Sequence, residues 1–126
     1  QVHAHKFLAL PKKTQLGVRD FLSELGVKPL MVLIFGSYAK GNYTVHSDLD
    51  IILIFQELKD HEQIEKTAKR ISMRTNIKIS PVYVPYNDFE KNFLNKEHQF
   101  SNEIRDRVIL IEGINLYYAL LWRFLR

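Results

Sequence analysis

Gly36-Ser37-Tyr38-Ala39-Lys40-Gly41-Asn42-Tyr43-Thr44-Val45-His46-Ser47-Asp48-Leu49-Asp50 is the stretch on which the reading of this chain turns. Two short apolar runs frame it, Met31 to Phe35 before and Leu49 to Phe55 after. Their length and β-branched content predict two strands buried on both faces. Gly36 ends the first run abruptly, and a glycine there lets the backbone turn sharply and lets a phosphate approach. Ser37 adds a hydroxyl donor, and the amides of Ser37 to Lys40 would point at that phosphate if they open a short helix. Asp48 and Asp50 stand two apart at a strand start, so both carboxylates project from one face and can share hard cations, while Leu49 turns to the core.

Outward from this stretch, Leu16, Val18, Phe21, Leu22 and Leu25 recur at helical spacing behind Pro11, with Gly26 as a stop. Asp60 to Arg74 carries Ile64, Ala68 and Ile71 among charges, which predicts an amphipathic helix capped by Asp60. Ile77 to Val84 reads as a third strand, with Pro81 marking an edge or a bulge. Beyond Pro85 the pattern is helical from about Asn87 through Arg107, with a break near Gln99 to Asn102. Gly113 then separates Val108 to Ile111 from an aromatic tail, residues 116–126. The order α-β-α-β-α-β-α indicates an α/β sandwich, read as one domain over 1–126.

Composition narrows the classes. A chain of 126 residues with 46% hydrophobic content has the size and core of one ordinary domain. Cysteine is absent, which excludes disulfides and thiolate metal sites and fits a cytoplasmic location. Its longest apolar runs fall well short of the roughly 20 residues needed to span a bilayer, so no membrane segment is expected. Gln1 to Phe7 lacks the basic start and long apolar stretch of a signal peptide. The net charge of +4 suits an anionic partner such as a nucleotide, but the 18 basic residues are scattered and no RNA-reading motif accompanies them.

A phosphate cradle opposite a carboxylate pair is what Mg²⁺-dependent nucleotidyl transfer requires. Here the sequence resembles the DNA polymerase β-like nucleotidyltransferase superfamily, whose signature is Gly-Ser, a spacer, then Asp-x-Asp. The ten residues between Ser37 and Asp48, together with Ala39-Lys40-Gly41 and Ser47, match the minimal nucleotidyltransferase (MNT) form of that signature. Glu112-Gly113-Ile114 with Leu116-Tyr117 looks like the family's C-terminal ending, so the resemblance covers about 12–118. It implies a nucleotidyltransferase fold with a small mixed sheet flanked by helices. It also implies a nucleoside triphosphate, ATP, bound through Gly36, Ser37, Lys40 and Ser47, with Mg²⁺, in a two-metal site, on Asp48 and Asp50. The acceptor it implies is a hydroxyl of a partner protein, in the manner of antitoxins that pair with HEPN toxins.

The sequence departs from the family at the third acidic residue, expected on the next strand. No carboxylate occurs from Lys66 to Asn87, and Ser80 is the positional match. Either two aspartates suffice, with help from Asp88 or the substrate, or the protein silences a partner by binding alone. His46, the cluster Lys66, Lys69, Arg70 and Arg74, and the aromatics Tyr83 and Tyr86 read more simply as exposed loop, helix exterior and core packing. At helical spacing Tyr117, Leu120, Leu121, Phe124 and Leu125 form one apolar stripe, widened by Tyr118 and Trp122, which predicts docking on a HEPN-domain protein or a second copy of the chain.

Overall fold

The structure, a computed structural model, describes residues 6–57 and 60–126. Helix α1 (Lys12–Glu24) leads into β1 (Met31–Phe35), a single helical turn α2 (Ser37–Lys40) and β2 (Leu49–Phe55). Helix α3 (His61–Thr75) begins where the Asp60 carboxylate accepts the Gln63 amide at 3.2 Å, the capping geometry that aspartate favours. Strand β3 (Ile79–Pro85), helices α4 (Tyr86–Phe93) and α5 (Gln99–Asp106), strand β4 (Ile109–Glu112) and helix α6 (Ile114–Leu125) complete the order.

The four strands form one mixed sheet in the order β3-β2-β1-β4. The central pair β1 and β2 is antiparallel, β4 joins β1 antiparallel, and β3 joins β2 parallel. Because side chains alternate along a strand, β2 feeds two cores at once. Leu49, Ile51 and Leu53 pack with Val32, Ile34, Phe21 of α1 and Ile64 and Ile71 of α3. Ile52 and Ile54 pack on the other face with Met31, Leu33, Phe93 of α4, Ile104 of α5 and Leu120 of α6. Helices therefore cover both faces, and the all-apolar reading of β1 and β2 follows from that double burial.

Several boundaries differ from the sequence reading. The third strand starts at Ile79, because Ile77 serves the core of α1 and α3 before pairing begins. Pro81 does lie on an edge strand. The helix after Pro85 opens at Tyr86, and its break falls at Leu94 to His98, ahead of the expected position. The run Ile109–Glu112, too short and too close to Gly113 to stand out, is a fourth strand on the far edge. The aromatic tail folds back: Tyr117 and Leu120 are buried, and Leu116, Leu121 and Phe124 pack partly on the second core. Of the expected stripe only Leu125 stays out, beside an exposed Trp122 and Tyr118. Among the described residues no helix is long and apolar enough to cross a membrane.

Candidate nucleotide site

The turn between β1 and β2 is shaped by what Gly36 lacks. Its φ is +71°, and a Cβ added there would meet Asp50 Oδ2 at 2.3 Å. Both the dihedral and the contact exclude a side chain, so the bare Cα lets the Asp50 carboxylate lie against the start of α2. Ser37 follows half-buried at the first position of that turn, and the Lys40 amide is spent on the Gly36 carbonyl at 3.0 Å. Of the four amides expected to face a phosphate, the last is therefore engaged within the turn itself. Gly41, left-handed at φ 83°, closes α2 by donating to the Ser37 carbonyl at 2.9 Å. Ser47 holds the loop instead of standing free, its hydroxyl accepting the Thr44 amide at 2.8 Å. His46 is exposed, and its own amide donates to the Thr44 hydroxyl.

Asp50 sits across β1 from Phe35 and across β3 from Ser80. In-register neighbours share a face, so Ser80 lies beside Asp50 on the face of Ile52 and Ile54. Partial burial, the Asp48 carboxylate and the Glu103 carboxylate all disfavour its ionisation, and its pKa is raised from the usual aspartate value. Asp48 is half-exposed, with the Lys78 ammonium 3.5 Å from its Oδ1. The lysine supplies the counter-charge that two neighbouring carboxylates call for. This donor set, hard carboxylate oxygens with a cation already drawn to one of them, fits a divalent cation held by Asp48 and Asp50. Among the described residues no group of three or more His, Cys, Asp or Glu side chains is gathered in a metal-holding arrangement, so the pair would need oxygens from a ligand.

The remaining candidates lie as follows. Asp88 is exposed on α4 and is not among the groups that perturb Asp50, whereas Glu103 of α5 is. Glu103 also pairs with Lys40, the ammonium lying 3.3 Å from its Oε1. Nothing in the sequence flags Glu103, an exposed helical glutamate 63 residues beyond Lys40. Only the docking of α5 beside α2 brings it there. Two of the four basic side chains of the α3 cluster are paired: Glu24 accepts Arg70 at 3.0 Å and Arg74 at 2.7 Å, and Asp20 accepts Arg74. Tyr83 and Tyr86 pack beside the cores and donate to Glu65 and Glu90. A groove of about 780 Å³ opens elsewhere, between α1 and β4, lined by Val18, Leu22, Val27, Val32, Leu110 and Ile114. It shares no residue with the aspartate site, and its walls are mostly apolar, with Arg19, Ser23, Lys28 and Glu112 as their polar members.

Known proteins resemble this chain in sequence and in fold. The polymerase beta nucleotidyltransferase family matches residues 18–112, which take in the whole sheet and the Gly36 to Asp50 turn. "Putative protein adenylyltransferase MJ0141" of Methanocaldococcus jannaschii is 39% identical over 67 residues, covering 51% of this chain and 68% of that protein. A chain of a toxin–antitoxin crystal structure with AMP-PNP superposes at a TM-score of 0.64 with 12% identity, covering 91% of this chain and 85% of its own. A chain from a complex of a tri-AMPylated Shewanella oneidensis HEPN toxin with its MNT antitoxin superposes at 0.57 with 12% identity, covering 88% and 82%. At that identity the two structures speak for the fold alone. The family match, which runs unbroken through all four strands and both aspartates, settles the assignment: this chain belongs to the polymerase beta nucleotidyltransferase family.

Proposed function

We propose that this protein is a divalent-metal-dependent nucleotidyltransferase that passes a nucleoside monophosphate, AMP from ATP, to a hydroxyl of a partner protein. The observation that carries the reading is the close packing of bare Gly36 against the Asp50 carboxylate, which sets a candidate metal-binding oxygen directly against the glycine turn that opens α2. Gly36 and Ser37 border the triphosphate, Asp48 and Asp50 hold Mg²⁺, and Lys40 and Ser47 shape the loop around them. The chemistry that Mg²⁺ supplies when bound is neutralisation of triphosphate oxygens. The acceptor oxygen then forms a bond to the α-phosphorus as the bond to the bridging oxygen breaks, pyrophosphate leaves, and the hydroxyl proton goes to water. The MJ0141 name supports a protein acceptor. The toxin–antitoxin neighbours support a HEPN-type partner, with this chain as the antitoxin.

A second reading is favoured by one observation: Ser80, not an acid, stands beside Asp50. On that reading the protein neutralises its partner by binding, with little turnover. Incubation with α-labelled ATP, Mg²⁺ and the protein encoded beside it separates the two. Label on the partner, abolished by Asp48→Asn or Asp50→Asn, supports transfer, and a tight complex that stays unlabelled supports occlusion. If both variants bind Mg·ATP as the parent does in calorimetry, the aspartates are not the metal ligands and the transferase reading fails.

A further inference from the structure

Two of the charges that a metal–triphosphate complex would contact are already paired inside the protein. Lys78 lies 3.5 Å from Asp48, a cation on a carboxylate, and Glu103 lies 3.3 Å from Lys40, a carboxylate on a cation. The second pair is built with support. Arg107 of the segment after α5 donates to the Lys40 carbonyl at 3.3 Å, and Phe100 meets Phe35 edge-on at 5.0 Å, Phe35 being the register partner of Asp50. Phe100 and Glu103 stand three residues apart on one face of α5, so that face leans on α2 and the end of β1. All the pairing side chains are substantially exposed, Lys40 at 45% and Glu103 at 55%, and a pair of that kind exchanges readily for a stronger partner.

We propose that Glu103 is an anion gate for the nucleotide site: it occupies the Lys40 ammonium in the place of a phosphate and makes the site favour metal-chelated over free triphosphate. The inference rests on the nucleotide reading above. A triphosphate oxygen arriving at Lys40 must displace Glu103 and then lies beside its freed carboxylate, with Asp50, on whose charge both Glu103 and Asp48 act, nearby. Chelated to a divalent cation, the same triphosphate brings the compensating charge with it. Glu103 therefore penalises the free anion most.

The experiment measures binding of inorganic tripolyphosphate in EDTA, and of Mg·ATP, to the full chain and to Glu103→Gln, Lys40→Met and the double variant. Glu103→Gln binds tripolyphosphate about five-fold tighter than the parent, the upper range for removing an exposed pair. Its gain for Mg·ATP is less than half of that, and the gain for tripolyphosphate vanishes in the Lys40→Met background. No gain, or weaker binding, in Glu103→Gln overturns the gate. An equal gain with and without Lys40 overturns it too, since the effect would then be general charge. A parent that binds Mg·ATP while Glu103→Gln gains nothing sinks the gate alone. One that binds neither ligand sinks the nucleotide reading along with it.

Discussion

At the scale of the residue, Gly36 and Asp50 constrain each other. Gly36→Ala forces a methyl group to within 2.3 Å of the Asp50 carboxylate and holds an L-residue at φ +71°. We expect a loss of about 1–3 kcal/mol in stability and at least ten-fold weaker Mg·ATP binding, read by thermal melts and calorimetry. Asp50 itself is a cost to the fold. Its folded pKa is raised above the 3.8 of an unconstrained aspartate, so the native state holds its proton more tightly than the unfolded chain does. Stability is consequently lost as pH rises from near that value through the folded pKa, and the penalty persists at neutral pH. Metal-free Asp50→Asn should melt slightly above the parent at pH 7, the difference being damped by the solvent that still reaches the carboxylate. The difference should shrink as the pH falls toward 4 and narrow when Mg²⁺ is added to both. An Asp50→Asn variant that melts below the parent at pH 7 would show that the carboxylate is stabilising in place.

At the scale of the element, α6 is the test of what a tail is for. Leu120 is 1% exposed, and Phe124 lies under the Arg105 guanidinium at 4.0 Å and beside Phe93. Deleting residues 119–126 removes both, at a summed cost of roughly 5 kcal/mol or more, which is comparable to the whole stability of a small domain. We expect the truncated chain to lose its cooperative melt, whereas Trp122→Ser, at a position 68% exposed, should change stability by no more than about 0.5 kcal/mol. If Trp122→Ser also loses a co-purifying partner, the exposed side of α6 is the docking face that the sequence suggested. The elements differ in how legible they were. Residues 49–55 are apolar at six of seven positions, and Asp60 caps α3 with its own side chain, so local chemistry sufficed for β2 and for the start of α3. Strand β4 was not legible, because four residues beside a glycine carry no period, and only its pairing with β1 makes it a strand. The aspartates could be found through their spacing. Glu103 could not, since its place depends on how α5 docks.

At the scale of the whole molecule, the sheet connects everything else. Its two central strands, β1 and β2, have cores on both faces and hydrogen-bonded neighbours on both sides, and Asp50 belongs to the second of them. Backbone amides so enclosed are released to solvent only when the sheet comes apart, whereas amides of the Asn42 to Ser47 loop need no such event. In deuterium uptake, the amides of Ile51 to Ile54 should belong to the slowest class, with a denaturant dependence equal to that of global unfolding. Those of the loop should exchange faster by several orders of magnitude. Uptake in β2 that outruns global unfolding would reveal a partial opening of the sheet. The loop, held by its own short-range bonds, can thus move without the sheet while the Asp50 carboxylate stays fixed until the molecule unfolds, and on the proposed function a destabilised variant should forfeit metal affinity only together with its native population.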